Sequence, residues 1–179
     1  GNGAAEIFAS LAKRYENKRV VLVHPTFSEY EATLTPYNVY IKEIIAIGKL
    51  PLDEVLDEVE FAEAIYICRP NNPTGYLIPL EEIIQIANYA KTYKCEVILD
   101  EAFLDFIDEK ESFIPYLKDF PNVIVVRSMT KMYAIPGIRL GYALASKTIV
   151  SDIRSRISHW NSNAIATTVG ADCLLEEDY

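Results

Sequence analysis

The 179-residue sequence lacks the cysteine and histidine spacings that zinc sites and disulfide frameworks require. Its three cysteines, Cys68, Cys95 and Cys173, lie far apart and form no C-x-x-C pair. The two histidines, His24 and His159, are isolated, so we interpret both as structural residues. We therefore predict no metal site, and the scattered cysteines favour a reducing cytosol and a cytoplasmic protein.

Basic clusters and long apolar runs are missing as well. Lysine and arginine number 17 against 26 acidic residues, which gives a net charge of −9 with no basic cluster to offset it. This balance argues against a nucleic-acid partner. No apolar stretch approaches the roughly 20 residues of a spanning helix, and no signal sequence is recognisable. We predict neither a nucleic-acid partner nor a membrane partner.

The sequence also lacks two glycine motifs that bind nucleotide phosphates. Neither G-x-x-x-x-G-K-[ST] nor G-x-G-x-x-G occurs among the 7 glycines, although both hold phosphate on α/β folds. An α/β nucleotide binder that holds phosphate by other means stays an alternative, and these absences count against it.

The order of apolar segments predicts the fold. Half of the residues are hydrophobic, which predicts a packed core for a chain of this length. The predicted strands are 19–23, 38–47, 64–68, one within 96–103, 122–126 and 140–145. The predicted helices are 4–17, one that starts near Pro25 or Thr26, 51–61, 80–93, 148–158 and 164–177. This alternation predicts an α/β fold with a mostly parallel sheet.

The densest cluster of reactive side chains lies between Ser128 and Tyr142, in S-M-T-K-M-Y-A-I-P-G-I-R-L-G-Y. It follows an apparent buried parallel strand, so it leaves the sheet at the carboxyl edge, where ligands bind in open α/β sheets. Arg139 and the hydroxyls of Ser128 and Thr130 would suit a phosphate. Lys131 beside them could form a Schiff base with an aldehyde. The alternative is that Lys131 and Arg139 are solvated surface charges.

Other junctions between strands and helices carry polar or aromatic residues. The backbone N–H groups after Gly3 can bind an anion. Asn72 either belongs to a turn-rich loop or donates its amide to a ligand oxygen. Asp100 ends a buried strand, so it either caps a turn or pairs with a positive group such as a protonated ring nitrogen. Phe27 either joins the core or stacks on a flat ring. Together, these junctions predict one ligand site.

Five motifs occur in the order found in one known family. G-N-G-A-A-E, P-T-F-S-E-Y, N-N-P-T-G, D-E-A-F-L-D-F and the lysine segment resemble the pyridoxal-phosphate enzymes of the aspartate aminotransferase superfamily. The resemblance covers nearly the whole chain, and N-P-T-G combined with S-x-T-K and G-x-R-x-G-Y is its most specific part. It implies the large domain of a pyridoxal-phosphate-dependent transferase, with three α/β/α layers around a mostly parallel sheet that has one antiparallel strand.

The resemblance also implies a role for each candidate residue. Lys131 would be the Schiff-base lysine, and Asp100 the partner of the pyridine nitrogen. Asn72 would bind the phenolic oxygen of the ring, and Phe27 would stack on the ring face. The phosphate would be held by the backbone of Ala4 and Ala5, the hydroxyls of Ser128 and Thr130, and Arg139.

The branch of the superfamily determines the expected reaction. N-N-P-T-G and D-E-A are shared with histidinol-phosphate aminotransferases. By contrast, T-K-M-Y-A-I-P-G-I-R-L-G-Y, P-T-F-S-E-Y and H-W-N-S-N-A look more like the threonine-phosphate decarboxylases of cobalamin synthesis. We therefore expect a lyase that acts on a small amino acid or amino-acid phosphate, with the aminotransferase as the alternative. Phe103 replaces a tyrosine that in many relatives adds a second hydrogen bond to the phenolic oxygen.

The resemblance further implies regions outside this sequence. The sequence has no initiator methionine and ends within an apparently helical segment, so we interpret residues 1–179 as one domain of a longer homodimeric protein. An N-terminal arm and a smaller C-terminal domain would complete the substrate pocket, and the domain alone could be inactive. Trp160 and Asn163 lie where relatives line that pocket, although Trp160 is equally compatible with a place in the core. A catalytically retired binding or assembly module is the non-enzymatic alternative.

Overall fold

Six strands form one sheet in a computed structural model that describes residues 1–176. The strands are β1 (Arg19–His24), β2 (Tyr40–Ile45), β3 (Ala64–Cys68), β4 (Glu96–Asp100), β5 (Val123–Ser128) and β6 (Gly141–Leu144). Their order across the sheet is β2-β1-β3-β4-β5-β6. Neighbouring strands from β2 to β5 pair in parallel, and β6 pairs antiparallel to β5. The prediction of a mostly parallel sheet with one antiparallel strand is confirmed.

Helices cover both faces of the sheet, because alternate residues of each strand point to opposite sides. The helices are α1 (Ala4–Ala12), α2 (Glu29–Leu34), α3 (Leu52–Val59), α4 (Leu80–Tyr93), α5 (Met129–Met132), α6 (Lys147–Arg156) and α7 (Ala164–Leu175). On one face, Val21 and Val23 of β1 belong to a core with α3 and α4. On the other face, Val20 and Leu22 belong to a core with α1, α2 and α6. The three-layer prediction is therefore confirmed.

Several element boundaries differ from the predicted ones. The first helix ends at Ala12 and continues as a 3-10 turn over Lys13–Tyr15, and the chain then turns at Asn17 with a φ of 58°. The helix after β1 begins at Glu29 rather than near Pro25 or Thr26, because residues 25–28 form a non-helical connection after the strand. The predicted end of the last helix at Glu177 lies outside the described residues. No described helix has the length and apolar content needed to cross a membrane.

A buried ion-pair network fixes the carboxyl ends of β4 and β5 on the face away from α1. The Nε of Arg127 donates to the Oε2 of Glu101 at 3.0 Å, and its Nη1 donates to Asp105 at 2.5 Å. Glu101 also accepts hydrogen bonds from the Ser112 hydroxyl and the Phe113 backbone N–H. The side chains of Arg127 and Glu101 are 5% and 0% exposed. Charges this deeply buried are tolerated only because each is paired.

We predict that Arg127→Met lowers the free energy of unfolding by about 3 kcal/mol, because it leaves the Glu101 carboxylate buried without its positive partner. Chemical denaturation of the two proteins measures this difference. Arg156→Met is the matched control, since Arg156 forms a half-exposed i,i+4 pair with Asp152 and its loss should cost less than about 0.5 kcal/mol. Equal losses in the two variants would contradict a special role for the buried network.

Candidate active site

The carboxyl ends of β3, β4 and β5 and the N-terminus of α1 surround one cavity. The nine residues that the sequence assigned to cofactor binding all line this cavity: Ala4, Ala5, Phe27, Asn72, Asp100, Ser128, Thr130, Lys131 and Arg139. These residues come from five separate segments of the chain, and parallel strand ends bring them to one edge of the sheet. The structure therefore shows these residues, which lie far apart in the sequence, around one cavity.

One end of the cavity is built to hold an anion. Helix α1 begins after Gly3 with no side-chain cap, so the N–H groups of its first turn are available to a ligand. The backbone at Gly3 has a φ of 80°, and a Cβ added there would lie 2.5 Å from the Nη2 of Arg139. Arg139 itself has a φ of 60° and donates from Nη1 to the Pro136 carbonyl oxygen at 3.1 Å. Its guanidinium is thereby held beside the helix N-terminus.

A close approach of β6 to α1 sets the position of that N-terminus. A Cβ added to Gly141 would lie 2.6 Å from the backbone nitrogen of Ala4 and 3.0 Å from the carbonyl oxygen of Arg127. The Gly1 amino group also donates to the Gly141 carbonyl oxygen at 2.8 Å. The absence of a side chain at residue 141 therefore lets α1 lie directly against β5 and β6.

Hydroxyl groups and an amine continue the anion site from α1 towards the centre of the cavity. The Oγ atoms of Ser128 and Thr130 lie 2.8 Å apart, and the Nζ of Lys131 donates to Ser128 Oγ at 3.2 Å. Ser128 and Thr130 are buried, whereas Lys131 is exposed to the cavity and solvent. The sequence interpretation of a phosphate clamp with an adjacent lysine is therefore geometrically possible, and Lys131 is accessible to an aldehyde.

Asp100 supplies the negative charge of the cavity. Its Oδ1 accepts the Ala102 backbone N–H at 2.9 Å, and its Oδ2 accepts the Tyr30 hydroxyl at 2.5 Å. Burial raises the pKa of this carboxyl above its ordinary value, while the bonds from Tyr30 and Ala102 and the charge of Lys131 lower it. The sequence left two roles open for Asp100: capping a turn or pairing with a positive group. Its bond to the Ala102 N–H caps the turn. The carboxylate also lines the cavity, where a positive partner could bind.

Aromatic rings and an amide complete the walls. Phe27 is partly buried and contacts the Tyr30 ring edge to face at 5.6 Å between centroids. The Phe103 ring lies 5.5 Å from the Nζ of Lys131, so this position presents an apolar face rather than a hydroxyl. Asn72 is held by its backbone N–H, which donates to Cys68 Sγ at 3.4 Å. A flat ring placed among these residues would meet apolar faces with polar groups at its edges.

Trp160 and Asn163 do not line the cavity. Trp160 is 96% exposed, so its alternative placement in the core is wrong. The side chain of Asn163 caps α7 by accepting the Ala166 N–H, and it donates to the Ile138 carbonyl oxygen at 3.4 Å. These contacts assign Asn163 a local structural role within the described chain.

Sequence reasoning missed Tyr30, Cys68 and Phe8 as neighbours of the ligand site. Phe8 and Cys68 line the cavity, and Tyr30 contacts Asp100 from behind it. A usable signal existed for Tyr30, because it follows Phe27 by three residues and such residues share one face of a helix. Its partner could not be inferred, since Asp100 lies 70 residues further along the chain.

Comparison with known proteins yields matches over nearly the whole chain. A family model described as aminotransferase class I and II matches residues 1–178. Threonine-phosphate decarboxylase of Salmonella typhimurium is 38% identical over 97% of this chain and 49% of its own length. Histidinol-phosphate aminotransferase of Pyrococcus furiosus is 31% identical over 99% of this chain and 52% of its own length.

A solved structure has the same fold. The crystal structure of the histidinol-phosphate aminotransferase from Clostridium acetobutylicum superposes with a TM-score of 0.94 at 30% identity, over 99% of this chain and 53% of that one. The chain thus spans about half the length of the relatives that it matches.

We predict that Gly141→Ala weakens binding of inorganic phosphate several-fold and lowers the free energy of unfolding by about 1–3 kcal/mol, because the new methyl group would displace α1. Calorimetric phosphate titration and chemical denaturation measure the two effects. Gly137→Ala is the control, since a Cβ there meets nothing within 4 Å and the backbone needs no positive φ. If both variants bind phosphate like the wild type, the contact between β6 and α1 does not set the anion site.

Proposed function

The chain belongs to the class I and II aminotransferases, and we propose that residues 1–179 form the cofactor-binding large domain of a pyridoxal-phosphate-dependent enzyme. Its substrate would be a small amino acid or an amino-acid phosphate. The observation that carries this proposal is the cavity in which an exposed lysine, a buried carboxylate and an uncapped helix N-terminus meet.

The residues of the cavity fit the phosphate, the aldehyde and the ring nitrogen of pyridoxal phosphate. Its phosphate matches the anion site formed by the α1 N-terminus, Ser128, Thr130 and Arg139. Its aldehyde matches the amine of Lys131, and its ring nitrogen matches the carboxylate of Asp100. The flat ring itself suits the apolar faces of Phe27 and Phe103. No group of the cofactor would meet a residue of unsuitable chemistry.

Each residue would hold one part of the cofactor. The N–H groups of Ala4 and Ala5 and the Arg139 guanidinium would bind the phosphate oxygens. Phe27 would pack on the ring face, and the Asn72 amide would donate to the phenolic oxygen. When bound, the cofactor supplies a ring that accepts the electron pair released at the α-carbon of an amino acid.

Two residues would control protons. Asp100 would hold a proton on the ring nitrogen, since a carboxylate beside that nitrogen stabilises its positive charge. Lys131 would hold the cofactor through its amine, and its Nζ would take or return a proton at the substrate α-carbon. The reaction would depend on which bond of the substrate α-carbon the surrounding residues orient for cleavage.

We favour the decarboxylase over the transaminase. The support is the likeness of the lysine segment, P-T-F-S-E-Y and H-W-N-S-N-A to threonine-phosphate decarboxylases, together with the 38% identity to one of them. Histidinol-phosphate aminotransferase stays the alternative, because relatives with that name reach similar identities. The residues that orient the substrate carboxylate would come from outside this chain.

Two further properties belong to the same proposal. The full-length protein would be a homodimer, and it would act in the cytoplasm. The presence of Lys131, Asp100, Asn72 and Arg139 around one cavity counts against the alternative of a retired binding or assembly module.

We predict that pyridoxal phosphate added to the full-length protein produces the near-visible absorption band of an imine, because Lys131 is accessible in the cavity. Lys131→Arg keeps the positive charge without an imine-forming amine, so the band should disappear. Borohydride reduction followed by peptide mass analysis should locate the pyridoxyl group on Lys131. An unchanged spectrum in the variant, or a label on another lysine, would contradict the assignment.

We predict that the full-length protein releases carbon dioxide from threonine phosphate and forms no glutamate from histidinol phosphate and 2-oxoglutarate. Both products can be measured in parallel assays, with Lys131→Arg as the inactive control for each. Glutamate formation without carbon dioxide release would instead assign the aminotransferase reaction.

A further inference from the structure

Tyr30 lies behind the cavity, where its hydroxyl contacts Oδ2 of the Asp100 carboxylate. The ring of Tyr30 is fully buried, and Asp100 is 4% exposed. The hydroxyl of Tyr30 donates to Asp100 Oδ2 at 2.5 Å. A hydrogen bond from a buried hydroxyl to a carboxylate is among the stronger kinds in proteins.

We propose that Tyr30 is a positioning residue that fixes the Asp100 carboxylate and keeps the proton between Asp100 and the cofactor on the ring nitrogen. This inference rests on the proposed function, since it requires pyridoxal phosphate in the cavity. Tyr30 itself would not touch the cofactor and would act only through Asp100.

The aromatic packing around Tyr30 prevents its hydroxyl from moving away. Its ring contacts Phe8 edge to face at 4.9 Å and Phe27 edge to face at 5.6 Å between centroids. It also lies 5.3 Å from the Tyr66 ring. Close packing on three sides restricts the movement of this buried ring, which favours the orientation in which the hydroxyl donates to Oδ2. The carboxylate is held from its other oxygen by the Ala102 N–H.

The hydrogen bond from Tyr30 also changes the proton affinity of Asp100. Burial raises the pKa of this carboxyl, and the Tyr30 bond opposes that rise ahead of the Ala102 bond and the Lys131 charge. The Glu101 carboxylate raises the pKa further, and the nearby Cys68 thiol has its pKa raised to about 12, so it stays neutral. Tyr30 is therefore the largest of the influences that keep Asp100 ionised.

The location of the shared proton follows from that balance. A proton between a carboxylate and a pyridine nitrogen lies on whichever group binds it more strongly. Without the Tyr30 hydroxyl, Asp100 would bind protons more strongly and would draw the proton away from the ring. The ring would then accept electrons less readily.

Tyr66 provides a matched control for the removal of a buried hydroxyl. It belongs to the same aromatic cluster and is 1% exposed. Its hydroxyl has no hydrogen-bond partner among the residues that the structure describes. Tyr66→Phe therefore removes a hydroxyl from the cluster without altering Asp100.

The test uses the full-length protein loaded with pyridoxal phosphate that is isotopically labelled at the ring nitrogen. In the wild type and in Tyr66→Phe, the nitrogen NMR signal should lie near the position of protonated pyridoxal phosphate. In Tyr30→Phe it should shift towards the position of the unprotonated ring. Thermal melting of the three proteins checks that each is folded, and the shift is read only from protein that carries the imine band.

Each outcome has a separate meaning. An unshifted signal in Tyr30→Phe would overturn the role of Tyr30, as would equal shifts in both variants, which would reflect packing alone. Absence of a Lys131-dependent imine band in the wild type would instead overturn the proposed function.

Discussion

Two consecutive carboxylates lie buried at the end of β4, and the sheet must compensate each of them on its own face. Glu101 points to the face where Arg127 neutralises it, so its charge belongs to a closed ion pair. Asp100 points to the opposite face and, within residues 1–176, accepts hydrogen bonds from two neutral donors, Tyr30 and Ala102. Because a carboxylate can accept about four hydrogen bonds, Asp100 keeps acceptor capacity for a cationic group. The two faces therefore differ: Glu101 is neutralised within the domain, whereas Asp100 faces the cavity without a cationic partner at hydrogen-bond distance among the described residues.

The anion end of the cavity depends on a different constraint, which is how closely backbone can approach backbone. The Ala4 nitrogen lies where a side chain at residue 141 would be, and Gly3 makes room for the Arg139 guanidinium. Both contacts need glycine, for two separate reasons: Gly141 because of the space, and Gly3 also because of its positive φ. The geometry of this end of the cavity therefore depends on two residues that have no side chain, as well as on the charged Arg139.

The sequence predicted the parts of the fold that local patterns determine. Helix α4 has the predicted limits because Pro79 precedes it, Glu81 and Glu82 occupy its first turn, and its apolar residues recur at helical spacing. The cavity residues were predicted through motifs at strand ends. The contact between Tyr30 and Asp100 was not, because it depends on how α2 packs over β4. The exposure of Trp160 was equally unpredictable, since local sequence does not tell which residues a loop presents to solvent.

The ladder between β5 and β6 connects folding to ligand binding. Ser128 lies opposite Gly141 in this antiparallel pair, so one position of the register holds both the hydroxyl that we propose for phosphate binding and the glycine against which α1 packs. A shift of one residue would turn the Ser128 hydroxyl to the other face of the sheet and would press a side chain against the helix. A phosphate-bearing ligand that binds as we propose would favour the correctly registered chain, and it would stabilise that chain by an amount that rises with the logarithm of its concentration once it exceeds the dissociation constant. Ligand binding during folding would thus favour the native pairing of β5 with β6 over pairings in other registers.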